Sequence, residues 1–380
     1  MNIILGITGG IAAYKSAELL RLIVKRGVGV EVVMTEAATR FIAPLTMQTL
    51  SGKPVRTWDD MAHIDLSRQA DAILIAPATA DFIAKLSHGL ADDLLSTLCL
   101  ARNCPLFLAP AMNRQMWDNP ATRRNLAQIE KDGVHIIGPE SGIQACGETG
   151  TGRMSEPDEI ASGIFSSLSP KFMSGKRILV TAGPTLEAID PVRAITNLSS
   201  GKMGYAIAQA GIDSGAEVTL VSGPTCLHPP LGAKFLPVTS AKEMFGAVMT
   251  NILGIDIFVS VAAVSDYRVA NPSAFKIKKN GRLILELEPN PDILLEVANL
   301  PNPPFCVGFA AETDHLEDHA RAKLNGKNIP MLVGNLVQDA MGNDDNEITL
   351  FSASGSKKLP RATKTVLAVQ LMKEIAGALS

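Results

Sequence analysis

The chain has 380 residues, 46% hydrophobic and 19% charged; that excludes wholesale disorder and, at about 150 residues per domain, implies two or three domains. Lys and Arg number 35 against 38 Asp and Glu, a net charge of −3, so there is no broad basic face for nucleic acid or an anionic membrane. Any anionic ligand has to be held locally, by helix N-termini and single lysines.

Cys99, Cys104, Cys146, Cys226 and Cys306 form no CxxC pair. An odd, scattered set with no export signal predicts reduced thiols and a cytoplasmic protein. The first residues are apolar but lack a basic start, and Lys15 and Glu18 interrupt them; they read as strand and helix, not signal peptide. No stretch reaches the roughly 18 apolar residues of a membrane span.

In chain order, residues 2–8 (NIILGIT) predict a buried strand, Gly9-Gly10 a turn, and 11–26 a helix with apolar positions at 3.6 spacing. Strands follow at 29–35, 72–76, 105–109 and 134–138. Strand–helix alternation with continuously apolar strands predicts an α/β domain, a parallel sheet covered on both faces. After a boundary within 155–175, where Ser, Pro and Gly accumulate, the pattern restarts. Strands are expected at 178–181, 216–222, 256–264, 305–310 and 331–334, with a helix over about 201–214. Residues 276–287 (KIKKNGRLILEL) predict a β-hairpin insertion turning at Asn280-Gly281. The expectation is two Rossmann-like domains, 1–165 and 176–380, with a linker over 166–175.

A strand ending in a Gly turn that opens a helix presents free N–H groups and a positive dipole end to phosphate. The P-loop pattern fails, because Tyr14 stands where its second Gly must be and Lys202 is followed by Met203. G-x-G-x-x-G is also absent, and the second strand ends at Met34-Thr35 without a ribose-binding carboxylate. A phosphate site without a ribose acid suits a mononucleotide such as FMN better than NAD. On the turn alone, a purely packing role for the glycines stays open.

Further segments fall at predicted C-terminal strand ends, where open α/β sheets bind ligands. They are 76–81 (APATAD), 110–117 (PAMNRQMW) and the Gly-rich 142–154 (GIQACGETGTGRM); His63 precedes the third strand. Singly, His63 reads as structural or exposed, Asn113 as a turn residue and Cys146 as a buried thiol. Gly147, Gly150 and Gly152 instead predict a mobile lid with the thiol at its tip. An imidazole, an amide and a thiol on one rim, beside a mononucleotide site, suggest redox chemistry on a small substrate.

These motifs (Thr8-Gly9-Gly10, HIDL, APATAD, PAMNxxMW and QACGExGxGRM) occur in family order over about residues 1–165. They resemble the FMN-dependent homo-oligomeric cysteine decarboxylases, phosphopantothenoylcysteine decarboxylase above all, and imply a flavodoxin-like flavoprotein domain. The resemblance implies His63 as active-site base, Asn113 as ligand of the substrate carboxylate and Cys146 as proton donor. It implies FMN contacts from Thr8, Gly9, Gly10, Thr35, Pro77, Ala78, Thr79 and Met112. On that pattern the flavin oxidises the cysteinyl thiol end, CO2 leaves, Cys146 protonates the enethiolate and the hydride returns, with no net redox change.

In the second half, residues 190–203 (DPVRAITNLSSGKM), 261–268 (VAAVSDYR), 276–279 (KIKK) and 290–294 (NPDIL) stand out, followed by Phe309, Lys323 and Lys327. Ser199-Ser200-Gly201 offers N-cap hydroxyls and amides for phosphate. Lys276, Lys323 and Lys327 suit a triphosphate as point charges, although KIKK also reads as a solvated strand and Lys323/Lys327 as a surface helix face. This half resembles phosphopantothenate–cysteine ligase over roughly 176–380, where CTP and Mg2+ activate the phosphopantothenate carboxylate as an acyl-cytidylate that cysteine attacks. The resemblance implies Asn197 and Arg193 at the acyl-cytidylate and Lys276 neutralising charge in the first half-reaction. It implies CTP contacts from Ala262, Ala263, Val264, Asp266, Pro291, Asp292, Ile293, Leu294, Phe309, Lys323 and Lys327, with Mg2+ held mainly by phosphates. Pro184 and the VAAVSDYR spelling, with Val261, Ser265 and Tyr267, depart from the commoner family pattern. His315 and His319 lie one turn apart but lack the H-E-x-x-H order and a third ligand.

Together the halves resemble the bacterial bifunctional coenzyme A biosynthesis family, in which the ligase product is the decarboxylase substrate. The resemblance implies decarboxylase trimers and ligase dimers, which a dodecamer satisfies. Two other readings stay open: a decarboxylase of another cysteine-terminated substrate, and a flavin-binding scaffold without catalysis.

Overall fold

The computed structural model describes residues 1–56, 62–145, 147–279, 281–312, 315–336 and 345–379, with the side chains of 62–65 outside the description. It divides into two compact units, 1–167 and 168–380.

The first unit runs β1 (Asn2–Ile7), α1 (Ala13–Lys25), β2 (Gly29–Met34), a 3-10 turn (Glu36–Arg40), α2 (Pro44–Ser51), α3 (Ala62–Gln69), β3 (Ala72–Ala78), α4 (Ala80–Ser87) and α5 (Leu94–Leu100). It continues through β4 (Leu106–Pro110), α6 (Arg114–Asp118), α7 (Pro120–Lys131), β5 (His135–Ile136), β6 (Glu140–Ile143), β7 (Thr149–Arg153) and α8 (Pro157–Leu168). Strands β1 to β5 form a parallel sheet of order β2-β1-β3-β4-β5. β3 and β4 are buried along their whole length, so they carry the unbroken apolar runs of a sheet covered on both faces. On one face Ile4, Ile73, Ile75, Leu106 and Leu108 pack against Phe82, Leu95, Leu98 and Ile129 of α4, α5 and α7. The order reverses between β1 and β3, the flavodoxin-type switch point that opens a ligand crevice at the strands' C-terminal ends.

Two expectations change here. Residues 157–168, inside the Ser- and Gly-rich boundary region, form α8 because Ile160, Ala161, Ile164 and Phe165 recur on one buried face. The Gly-rich 142–154 segment, expected as a mobile lid, carries a strand pairing that the expected strands do not include: β6 and β7 pair antiparallel from Ile143–Thr149 to Glu140–Arg153.

The second unit contains β8 (Arg177–Ala182), β9 (Leu186–Asp190), β10 (Arg193–Thr196), α9 (Lys202–Asp213), β11 (Glu217–Ser222), β12 (Lys234–Pro237), α10 (Ala241–Asn251), β13 (Ile257–Ser260) and β14 (Tyr267–Val269). Then come β15 (Leu287–Pro289), α11 (Ile293–Ala298), β16 (Phe305–Glu312), α12 (Leu316–Gly326), β17 (Met331–Leu336), β18 (Asp345–Ser352), β19 (Gly355–Thr363) and α13 (Lys364–Leu379). Its main sheet has the order β12-β11-β8-β13-β16-β17-β18-β19, parallel up to β17 and antiparallel beyond. Helices α9 and α13 cover one face through Ile207, Ala208, Leu367 and Leu371. The other face is covered by α10, α11 and α12, through Met244, Val248, Val297 and Leu324.

The strand expected over 256–264 stops at Ser260, and residues 261–266 leave the sheet as a loop. Nor, among the described residues of 276–287, is there strand pairing of the expected hairpin. The antiparallel contact lies at the base of the insertion, Tyr267–Val269 against Leu287–Pro289. Phe275, Leu283 and Ile284 are exposed, so the insertion has no apolar face packed on a core, and a two-stranded ribbon without one is marginal.

Candidate active sites

In the first unit the loops after β1, β3 and β4 converge at the switch point. Thr8 joins two of them: its hydroxyl donates to Pro77 O at 2.7 Å and accepts from the Thr79 amide at 3.1 Å. Thr79 in turn caps α4 by accepting from Phe82 N. Gly9 lies so close to the turn after β2 that a Cβ there would meet the Ala37 Cβ at 2.5 Å; only glycine permits that approach. Thr35 caps this turn by accepting from Ala38 N. Helix α1 opens with no side-chain cap and no acidic residue in its first turn. Its N-terminal amides therefore suit an anion. Pro77 and Ala78 are buried at the end of β3, and Met112 N is bonded to Gly152 O at 2.9 Å. A cradle of threonine hydroxyls, a glycine turn and an uncapped helix at a 2-1-3-4-5 switch point fits a mononucleotide phosphate.

Asn113 caps α6, accepting from Met116 N at 2.9 Å, and its Nδ2 donates to Gln115 Oε1. His63 lies on α3, but its side chain, like all of Cys146, falls outside the described residues. Two residues not singled out from sequence hold this rim together. Lys15 is buried, and its Nζ donates to Met154 O at 2.9 Å and pairs with Glu156 at 2.8 Å. The ammonium of Lys15, seconded by Arg153, holds the Glu156 carboxyl below its usual range. Gln144, also buried, bonds backbone on both sides of Asn113. Both bonds span at least 30 positions in the chain, which local patterns do not reveal.

In the second unit a cleft of about 710 Å³ opens beside the C-terminal ends of β8, β13, β16 and β17. Its lining brings together Asn197, Ala262, Ala263, Val264, Asp266, Pro291, Asp292, Ile293, Leu294, Phe309, Lys323 and Lys327. The loop after β13 is stitched to the loop after β8: Ala263 N donates to Gly183 O, Ser265 N to Thr185 Oγ1, and Asn197 Nδ2 to Ala263 O at 2.9 Å. Asp292 caps α11 and pairs with Lys327 at 2.7 Å, while Lys323 pairs with Glu312 at 2.9 Å. Ser199 and Lys202, from the 190–203 stretch, also line the cleft, as do Asn335, Asn346 and Lys364, which were not singled out. Lys364, the first residue of α13, is buried; nothing in its local sequence marks it.

Three site expectations differ from the geometry. The residue capping α9 is Gly201 itself, at φ +74° with no side-chain cap, and Ser199 Oγ accepts from the Gly201 amide. Arg193 is not in the cleft lining. It grips the buried Asp190 carboxylate and donates to Ile277 O at 2.7 Å, while Ile277 N donates to Asp190 at 3.1 Å. Arg193, with backbone N–H groups of Val192, Ile277 and Arg193 itself, holds the Asp190 carboxyl well below the usual carboxylate range. This clamp anchors the start of the insertion next to Lys276, which is exposed and also outside the lining. His319 stands at the surface with Nδ1 3.3 Å from Glu312. Among the described residues no three His, Cys, Asp or Glu are grouped to hold a metal ion, and no helix is long and apolar enough to cross a membrane.

The two units define a two-site α/β protein: a flavodoxin-like unit with a mononucleotide cradle, joined to a Rossmann-like unit with a lysine-lined cleft. Residues 1–169 match the family described as Flavoprotein, and 173–379 the DNA/pantothenate metabolism flavoprotein C-terminal domain. The chain is 48% identical over 388 residues to the coenzyme A biosynthesis bifunctional protein CoaBC of Vibrio vulnificus, covering 98% of this chain and 97% of that one. It is 50% identical over 385 residues to the protein of that name in Vibrio cholerae, covering 98% and 96%. A solved structure, the C-terminal domain of a CoaBC protein, aligns at 42% identity and TM-score 0.49 over 55% of this chain and 98% of the other. The chain belongs to the bifunctional coenzyme A biosynthesis family, as a flavoprotein lyase half followed by a ligase half.

Proposed function

We propose that this chain makes 4′-phosphopantetheine from 4′-phosphopantothenate, cysteine and CTP in two steps in the cytoplasm. The observation that carries the ligase half is the single cleft that gathers Asn197, the 261–266 loop, the 290–294 loop, Lys323 and Lys327. Lys323 and Lys327, each paired with a carboxylate in the free protein, meet the triphosphate as point charges. Asn197, oriented by its bond to Ala263 O, recognises the acyl-cytidylate. Mg2+ rides mainly on the nucleotide phosphates. Lys276 acts on the first half-reaction from the insertion, steadied at its root by the Arg193–Asp190 clamp. Charge stabilisation of the pentavalent phosphorus is the main catalytic effect.

The first unit decarboxylates 4′-phosphopantothenoylcysteine. FMN, its phosphate on the α1 N-terminus and the Thr8 turn, supplies the two-electron acceptor that is restored when the product forms. Asn113 holds the substrate carboxylate, His63 takes a proton and Cys146 returns one to the enethiolate. The fused chain assembles as decarboxylase trimers linked by ligase dimers, a dodecamer. The test supplies 4′-phosphopantothenate, cysteine, CTP and Mg2+ to the purified protein and weighs the products. Pyrophosphate release with loss of CO2 from the cysteine adduct supports both halves, and a product that stops at the adduct overturns the decarboxylase assignment. Cys146→Ser is expected to keep FMN and ligation while aminothiol release fails; normal turnover removes the proton-donor role.

A further inference from the structure

We infer that Gln144 is a positioning residue that couples the loop of Asn113 to the loop of Cys146, so that carboxylate binding and proton delivery are aligned by one buried amide. The inference rests on the decarboxylase reading above. Gln144 is 9% exposed, yet it is a long polar side chain whose burial is unfavourable unless its groups are bonded. Its Oε1 accepts from Arg114 N at 3.0 Å, and its Nε2 donates to Thr151 O at 3.3 Å and, at a longer 3.5 Å, to Met112 O. Arg114 and Met112 are the residues on either side of Asn113, so the amide holds the backbone that carries the carboxylate ligand. The main chain of Gln144 does the corresponding work on the thiol loop. Its N–H donates to Glu148 O at 2.8 Å and its carbonyl accepts from Gly147 N at 2.9 Å, closing the five-residue turn within which Cys146 falls in sequence.

The surrounding packing is built for this contact. A Cβ on Gly152 would meet Met112 O at 2.4 Å and Gln144 Nε2 at 2.9 Å, and one on Gly150 would meet Arg114 Cδ at 2.4 Å. The glycines of the hairpin therefore let it press against the Asn113 loop. Gln115 Nε2 adds a second tie, donating to Glu148 Oε1 at 3.1 Å. Neither tie reaches the α1 phosphate turn, so loss of Gln144 should misplace groups without releasing the cofactor.

The full-length protein tests this with Gln144→Glu and Gln144→Ala. A carboxylate keeps the acceptor for Arg114 N and loses both donations. Decarboxylation is expected to fall by ~10- to 100-fold, as for a misplacement of about 1 Å, with bound flavin and ligation unchanged. A readout that general loosening would not move is the product ratio. Slowed protonation raises the share released as the enethiol, two hydrogens lighter than the aminothiol by mass, with the two electrons left on the flavin, which dissolved oxygen in the assay reoxidises. Hydrogen exchange supplies a readout apart from turnover: Gln144→Ala should raise exchange in residues 111–116 as well as 140–153. Wild-type turnover and product ratio in both variants, or faster exchange in 140–153 alone, overturns the coupling. A wild-type protein that never decarboxylates the adduct instead overturns the function on which the coupling rests.

Discussion

Gly152→Ala is the substitution whose consequences the structure specifies in most detail. Gly152 has φ +137°, and a Cβ there would stand 2.4 Å from Met112 O, about 1 Å short of ordinary contact. Backbone held in such a region by a side-chain-bearing residue costs about 1–3 kcal/mol. Moving the two strands of chain apart also breaks the bond from Met112 N to Gly152 O, a further ~1 kcal/mol. The expected loss is therefore about 2–4 kcal/mol from the first unit, a fall in its melting temperature of roughly 5–15 °C. Because Asn113 adjoins Met112, a shift of about 1 Å should slow decarboxylation by ~100-fold while ligation proceeds normally. The control is Gly89→Ala. Gly89 also has positive φ, +65°, but nothing lies within 4 Å of its added Cβ, so it should lose stability of about 1–2 kcal/mol without loss of turnover. Calorimetry and separate assays of the two reactions distinguish these outcomes. Gly152→Ala with wild-type decarboxylation would refute the claim that the hairpin glycines set the position of Asn113.

Asp190→Asn should destabilise the second unit at neutral pH, because the Arg193 clamp holds the native carboxyl below its unfolded value. A depressed native pKa gives stability that is present above the unfolded pKa of about 4 and lost as pH falls toward the native one. The gap between wild type and variant in urea melts should accordingly narrow as pH drops below about 4; a gap that widens there reverses the assigned sign. Burial pushes the Cys99 and Cys306 thiols up to about 12, whereas Cys226 is exposed. Iodoacetamide at pH 8 followed by peptide mass spectrometry should label Cys226 and spare the other two until denaturant is added. Early labelling of Cys99 would mean that the α5 face of the sheet opens readily.

Strands β1 to β4 of the first unit and β8, β11, β16 and β17 of the second were legible because each is an apolar run bounded by polar or glycine-rich turns. Boundaries failed where the sheet ends and the chain leaves it. Residues 261–264 are apolar enough to continue β13, but β13 ends at Ser260 and the loop's amides bond across to the β8 loop instead. The hairpin expectation failed for the converse reason. Asn280-Gly281 and alternating residues describe a local preference, while pairing needs a packed face that Phe275 and Ile284 do not find.

The α/β class, the glycine turn after β1 and the residue types at the strand ends were readable from the chain alone, since these follow from local periodicity and backbone sterics. The sequence also marked the motifs that proved to belong to one cleft, from Asn197 to Lys327. Which distant groups meet depended on the packing of the whole fold. It placed Gln144 against the backbone on either side of Asn113, Lys15 against Met154 and Glu156, and Lys364 in the lining of the second unit's cleft. It also set Arg193 as the clamp of Asp190 and Ile277 at the start of the insertion. The contacts of Gln144, Lys15 and Asp190 are hydrogen bonds or ion pairs formed by side chains that burial leaves no better partner. Burial is set by the packing of whole sheets and helices rather than by neighbours in the chain.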